Sequence, residues 1–565
     1  MLNLKSEKSL ARYISFGAFF TTVFVLWGSV TDPVNTPKLF ILGAIAFAAG
    51  AIAFAMGAKE LWRSSRLWLI GSILFVVFSI SAIINSASPF LQNIYGTYGR
   101  NTGFITYLSL LLLSTSATLL RQKSSFNLIV YSLFAAGVAN VAYCLWALAF
   151  GDFIGWSNPY GNILGTFGNP NFIGAFLGIF ITALAAYVVQ PGISWAYRGL
   201  ALVIVAIGLF EIDKSNAVQG LVVSAVGFSI IGFYFIRARF KSSLILGGYT
   251  IVVAILGFIS LMGALQKGPL SGLIYKTSVS LRGEYWQAGW NMASQFPLTG
   301  VGMDSYGDWY RRARDDQALI LPGPETVTNA AHNIPFDILA YGGWPLFLSY
   351  LFLITLAAIA ILKVTLRNRN YDGIFIALTV AWACYQIQSI ISISQIGLAI
   401  WGWVLSGVVI AYEIATRNPD ISEKKPLGGK SAKPKEQIMT ATTIGTLGLV
   451  VGALIAVPPL SGDIKWKSAL TKGDLALVQA ALTPSYLSPT DTNRLLNAVL
   501  VSENSKLPDV AYEYAKKAVE FNPDSFDSWR IFYSVANSTP AEKELALANL
   551  KRLDPKNPNP LNTAK

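Results

Sequence analysis

Runs of about 20 consecutive apolar residues recur along most of this chain, and no other feature constrains its fold so tightly. Each run is long enough to cross the hydrocarbon of a bilayer as a helix, where every backbone N–H and C=O must be paired within the segment itself. Thirteen such runs are centred near residues 22, 48, 76, 112, 138, 180, 204, 227, 254, 348, 382, 406 and 448. Hydrophobic residues make up 53% of the 565 and charged residues 13%, a balance that excludes a soluble globule. The expected fold class is all-α: a polytopic membrane helix bundle with a large outer loop and a small soluble helical domain.

Basic residues orient the bundle, because short positive loops tend to stay cytoplasmic. With the N-terminus inside, the cytoplasmic segments hold 21 Lys and Arg, among them Lys5, Lys8, Arg12, Arg121 and Arg239; the short outer loops carry only Lys38, Arg100 and Lys214. No small-x-small cleavage site follows the first run, which reads as an uncleaved span. The net charge of +13 is then a topogenic signal beside the membrane, and no nucleic-acid partner is expected. The layout that follows is a membrane domain over 1–416 with an outer loop over 265–333, a cytoplasmic linker over 417–437, a last span over 438–457 and an outer domain over 458–565. Pro419, Pro426, Gly428, Gly429 and Pro434 among lysines make the linker coreless.

The outer tail is polar and helical. Ser488-Pro489-Thr490-Asp491 and Thr539-Pro540-Ala541-Glu542 are cap-like starts with a proline. Val510, Ala511, Tyr514, Ala515, Ala518 and Val519 recur at helical spacing, and Phe521-Asn522-Pro523 and Leu553-Asp554-Pro555 are comparable ends 32 residues apart. The pattern resembles a degenerate tetratricopeptide-type unit, with an ordinary helical cap as the plainer alternative.

Several chemistries are excluded. The chain has one histidine, His332, and two cysteines, Cys144 and Cys384, both inside expected spans. No His/Cys zinc site, Walker-type phosphate loop or Gly-x-Ser-x-Gly elbow can be assembled. Asp304, Asp308, Asp315, Asp316 and Glu325 cluster in the outer loop, but Arg311, Arg312 and Arg314 among them favour a solvated ion-paired surface over a hard-cation site. No metal or cofactor is expected.

The outer face instead offers His332 at the end of its long loop, with Arg100 and Arg282 beside glycines near span ends. An arginine fork matches phosphate oxygens and keeps its charge; equally, Arg100 can anchor its helix at the interface and Arg282 can pair with Glu284. Tyr385, Gln386, Gln388, Ser389, Ser392, Ser394 and Gln395 of the eleventh span must face protein or water, either lining a lipid-phosphate groove or joining helices.

The run Arg282-Gly-Glu-Tyr-Trp286, then Phe296-Pro297-Leu-Thr-Gly300-Val-Gly302, then His332-Asn333 before a span with Gly342 and Gly343, resembles the O-antigen ligase and Wzy-polymerase superfamily, which includes bacterial O-oligosaccharyltransferases. Gly96-Thr-Tyr-Gly-Arg100-Asn-Thr-Gly103 and Gly165-Thr-Phe-Gly-Asn169-Pro170-Asn171 support the resemblance, which covers roughly residues 10–415 in layout. It implies a GT-C-like membrane enzyme of the bacterial cytoplasmic membrane that moves a glycan from an undecaprenyl-pyrophosphate carrier to an acceptor hydroxyl on the outer face, without metal and with inversion. The acceptor is a glycan, a lipid or a protein, and the tail is suited to docking it or an envelope partner. His332 is the implied proton acceptor, Arg282 and Arg100 the phosphate-binding pair, Asn333 a residue that orients the loop or the sugar. Asn169 and Asn171 belong to the implied substrate site, and Trp286, with Tyr95, Tyr98, Trp156, Tyr160 and Trp309, is suited to stack sugars or anchor at the interface. Family members carry a Ser-Arg-Gly-like motif where this chain has Asp213-Lys214-Ser215-Asn216-Ala217, so Lys214 is the candidate third cation. A transporter or flippase of lipid-linked sugars or anionic solutes, and a scaffold for envelope assembly, are the alternatives; internal repeats expected of the former are not visible.

Overall fold

A computed structural model describes residues 4–156, 158, 161–274, 277–417 and 434–561; Tyr160 and most of the expected linker over 417–437 lie outside them. The membrane part begins with α1 (Leu4–Val23), α2 (Asn35–Ser64), α3 (Arg66–Ile84), α4 (Phe90–Tyr95), α5 (Phe104–Ala117), α6 (Lys123–Phe150), α7 (Pro170–Val188), α8 (Trp195–Lys214), α9 (Val218–Arg239) and α10 (Ser243–Ala264). The outer loop folds as α11 (Ser271–Ile274), α12 (Thr277–Gln295), α13 (Tyr306–Ala313) and α14 (Asp316–Ile320), and the bundle resumes with α15 (Ile334–Arg367), α16 (Gly373–Ile391), α17 (Ile396–Arg417) and α18 (Pro434–Lys472). The tail holds α19 (Leu475–Leu482), α20 (Thr492–Asn504), α21 (Pro508–Phe521), α22 (Phe526–Ser534) and α23 (Pro540–Leu553). Among the described residues eleven helices are long and apolar enough to cross a membrane, and α1 and α5 correspond to the other two apolar runs. The chain is a multi-pass membrane protein. α7, α16 and α17 are mostly enclosed by their neighbours, whereas α10 stands at the edge with none of its most apolar stretch buried.

Two boundaries differ from the sequence reading. The first helix ends at Val23 rather than being centred near residue 22. Glu7 in its first turn is buried while Lys5 and Lys8 stay exposed, because the carboxylate accepts from the N–H groups of Arg121 and Gln122 and the hydroxyl of Ser125, each at 2.8 Å, at the start of α6. The helix that carries the last span runs on past residue 457: α18 continues through Pro458 and Pro459 to Lys472. A proline withdraws the N–H that would bond the carbonyl four residues earlier, and here the Tyr486 hydroxyl donates to that carbonyl, Leu454 O.

The tail packs as two helical hairpins, α20 with α21 and α22 with α23, around Trp466, Tyr514, Ala515 and Trp529. It sits on the loop end of the bundle. Both carboxylate oxygens of Asp554 accept from Arg314 Nη2, at 2.8 and 2.7 Å, and Arg311 lies 3.3 Å away. Arg312 pairs with Asp524 at 3.1 Å and Lys556 with Asp315 at 3.1 Å, and Asp463 accepts from the Tyr98 hydroxyl at 3.2 Å. The loop arginines thus meet carboxylates of the tail in a largely dry interface, not a solvated surface of the loop's own acids. Among the described residues no group of three His, Cys, Asp or Glu is placed to hold a metal.

Candidate active site

Asn169-Pro170-Asn171 opens α7 with a side-chain cap and a proline in the first turn, a pairing that fixes a helix start. The Asn169 oxygen accepts from the Asn171 N–H at 2.9 Å. His332-Asn333-Ile334-Pro335 repeats the device at α15, the Asn333 oxygen accepting from the Phe336 N–H at 3.2 Å. α9 starts after Ala217 without a side-chain cap. The starts of α7 and α9, and His332 just ahead of α15, meet one cavity of about 230 Å³, lined by Asn169, Asn171, Gln219, Arg282, Tyr285 and His332, with Ser392 and the apolar Phe172, Leu281 and Ile393. Free N–H groups and aligned peptide dipoles make each end attractive to anions.

Arg282 and Tyr285 stand three residues apart on α12 and so share a face. Among the described residues no carboxylate pairs with Arg282, and burial holds its pKa below the ordinary arginine value, opposed by the Tyr285 phenol. A guanidinium remains charged under such a shift, so the cavity contains an uncompensated positive charge. Arg282 is partly buried, and a charge drawn out of water without a partner is costly; an anionic ligand is the natural compensation.

His332 has φ +56, the left-handed region, which non-glycine residues seldom occupy away from functional or turn positions. Neighbours on both sides impose it. The Ala331 N–H donates to Asp337 Oδ1 at 2.7 Å, and Asn333 is committed to its cap. The imidazole packs on Tyr285, ring centroids 5.6 Å apart at 31°. Burial, then the charges of Arg282 and Arg100, push the His332 pKa down to about 4, so at neutral pH one ring nitrogen holds a free lone pair.

The glycine motif fixes where α15, and with it His332, begins. α15 is broken at Gly342 and Gly343, and Pro297 to Gly302 lies in the break: Val301 N donates to Ala340 O at 2.9 Å, Gly302 N to Tyr341 O at 3.0 Å and Trp344 N to Pro297 O at 2.8 Å. A Cβ on Gly343, whose φ is +63, would stand 2.4 Å from Pro297 O, and one on Gly300 would stand 2.4 Å from Gly342 N. Only glycine permits this backbone-to-backbone approach.

The other expected site residues are placed differently. Arg100 is buried off the cavity: its guanidinium lies 3.4 Å from Asp304, donates to Tyr341 Oη at 3.1 Å and bonds Asn329 O. It braces the loop and acts on His332 only through its field. Lys214 is half exposed, 3.7 Å from Asp213 and over the Phe210 ring. Trp286 stacks on Phe336 and Trp309 carries Arg312 over its ring, while Trp156 donates to Asp152 at 2.8 Å. None of these lines the cavity with His332. Of the polar set in the eleventh span, Ser392 does. Gln395 is instead occupied in capping α17, accepting from Leu398 N at 3.1 Å.

Gln219, Tyr285 and Phe172 are cavity residues that sequence reasoning did not select. Tyr285 lay in view inside Arg282-Gly-Glu-Tyr; Gln219 is a carboxamide in the first turn of an apolar span, the one available signal. Residues 200–351 match the family model described as O-antigen ligase, a stretch that includes Gln219, Arg282, Tyr285 and His332 and leaves out Asn169, Asn171 and Ser392. A comparison with curated proteins finds no match.

Proposed function

We propose, for a chain that carries an O-antigen ligase domain and is a membrane glycosyltransferase or ligase of that superfamily, that the cavity holding Arg282 and His332 transfers a glycan from undecaprenyl pyrophosphate to an acceptor hydroxyl. The observation that carries this reading is the meeting in one cavity of an arginine with no carboxylate partner among the described residues, a neutral histidine and the N-termini of α7 and α9. The acceptor hydroxyl gives its proton to His332 as its oxygen bonds to the anomeric carbon. The bond from that carbon to the pyrophosphate oxygen breaks on the opposite face, and the pair of electrons leaves with the polyprenyl diphosphate. Inversion follows from the in-line geometry. Charge gathering on the leaving group is met by the Arg282 fork and the helix N-termini, fixed dipoles that need no reorganisation during reaction; transfer is therefore expected to survive chelation of divalent cations.

Charge compensation also tunes the base. Arg282 depresses the imidazole pKa; a bound diphosphate offsets that charge and raises it, so His332 becomes a better proton acceptor once the donor is seated. The excess of cations on the end opposite the tail supports a cytoplasmic N-terminus, with cavity and tail on the outer face of the bacterial cytoplasmic membrane. The acceptor is a glycan, lipid or protein hydroxyl, and the tail, a tetratricopeptide-like pair of hairpins on this reading, lies beside the outer loop where an acceptor or envelope partner would dock.

The test is His332→Ala in cells whose envelope glycan depends on this chain. Lipid-linked glycan should accumulate while the protein stays in the membrane at normal level; unchanged transfer would remove the assignment.

A further inference from the structure

We infer that Gln219 reads the first sugar of the donor, forming hydrogen bonds with a group that both gives and accepts, a hydroxyl or an acetamido, next to the diphosphate. This rests on the reading of the cavity above. Gln219 is 6% exposed, lines the cavity, and neither Oε1 nor Nε2 has a partner among the described residues. Buried carboxamides are almost always satisfied, and one left open at both ends needs an explanation. The cavity supplies it.

The chemistry of a carboxamide narrows the ligand. Nε2 only donates and Oε1 only accepts. A phosphate oxygen accepts and cannot donate, so it would satisfy Nε2 and face Oε1 with like partial charge. A sugar hydroxyl or the N–H and C=O of an acetamido group supplies both roles. Neither of the other two cavity amides is a buried group open at both ends, because the Asn169 oxygen is held by the Asn171 N–H and Asn171 itself is exposed. Nor does the α8–α9 corner present a cation, since Lys214 lies half exposed beside Asp213. The division is then charge to Arg282 and the helix ends, sugar to Gln219.

The experiment uses the full chain in lipid nanodiscs and three probes: a short-chain polyprenyl diphosphate, the same carrying one hexose, and the same carrying one N-acetylhexosamine. The wild-type protein should bind at least one sugar-bearing probe about tenfold or more tightly than the bare diphosphate, the scale of a hydrogen bond to a buried group. Which sugar is preferred distinguishes hydroxyl from acetamido recognition. Gln219→Leu should abolish the preference and leave the bare-diphosphate affinity within about twofold of wild type. If the leucine variant fails to accumulate, Gln219→Glu, of the same shape but accepting only, should also lose it. A preference kept by these variants, or absent from the wild type, would overturn the inference. Arg282→Ala is the separate control: if it leaves binding of the bare diphosphate unchanged, the reading of the cavity fails whatever Gln219 does, and wild-type binding of none of the probes would sink both.

Discussion

Asp554→Ala should undock the tail from the outer loop. Asp554 and Arg314 are both fully buried, each carboxylate oxygen accepts from Arg314 Nη2 within 2.8 Å, and Arg311 at 3.3 Å and Asn557 at 3.2 Å share the carboxylate. Removing the carboxylate leaves guanidinium charge in a dry interface. Breaking a buried pair from one side costs about 3–5 kcal/mol, which at 1.4 kcal/mol per decade is roughly a 100- to 5000-fold rise in the open population. Hydrogen exchange read by mass spectrometry on α13 and α23 measures that population directly. The consequence reaches the cavity, since α13 carries Tyr310, 5.8 Å from Tyr285, and Tyr306, whose hydroxyl donates to Tyr285 O; Tyr285 in turn supports His332. Transfer should therefore fall along with protection. Asp554→Leu combined with Arg314→Met should recover much of the protection, because apolar replacement of a whole buried pair is often neutral. Exchange within about twofold of wild type in Asp554→Ala would refute the reasoning, for no clamp worth 3 kcal/mol can be cut at so small an effect.

Arg282→Lys keeps a point charge but loses the planar fork, so transfer should drop sharply with little change in unfolding temperature, and Arg282→Ala should lower turnover by about 10²–10³-fold, the scale of removing one preorganised donor; near-normal turnover of the lysine variant counts against a phosphate role. The pH profile follows from His332. With its pKa held at about 4 before the donor is seated, transfer at limiting donor (kcat/KM) should stay level from pH 8 to about 6 and fall only in more acidic buffer, while kcat at saturating donor should begin to fall at a higher pH, declines that His332→Ala background activity must lack. For stability the sign is the reverse of a salt-bridged histidine. The unfolded chain takes up the proton near 6.5 and the folded one only near 4, so this group lowers stability progressively as pH falls through that window and adds nothing further below it. Gly343→Ala should destabilise the protein by about 1–3 kcal/mol, through backbone strain at φ +63 and collision with Pro297 O, visible as a lower unfolding temperature in detergent.

The fold was legible because its signals are local. Each apolar run stated its own helix, and the bilayer leaves the backbone no other answer. A helix start was legible for the same reason: Thr539-Pro540-Ala541-Glu542 carries cap, proline and capping-box acid within four residues and opens α23. What the string cannot display is commitment. Arg100 and Arg282 look alike, each a lone arginine with a neighbouring glycine on the outer side, yet Asp304 reaches across from the outer loop to take Arg100 and no carboxylate among the described residues reaches Arg282. Asn333 read as orienting the loop or the sugar and is occupied as a cap, and Asp554 read only as a helix ending and closes the interface with Arg314. Charge neutralisation is set by which distant partner the fold brings within 4 Å, so it appears only in three dimensions. That gives the search for the site a physical rule: in a membrane enzyme with many polar residues at helix ends, the groups that act on substrate are those left unsatisfied after every cap and every ion pair has been assigned. Arg282 and Gln219 survive that subtraction in this cavity, and Arg100, Lys214, Asn333 and Gln395 do not.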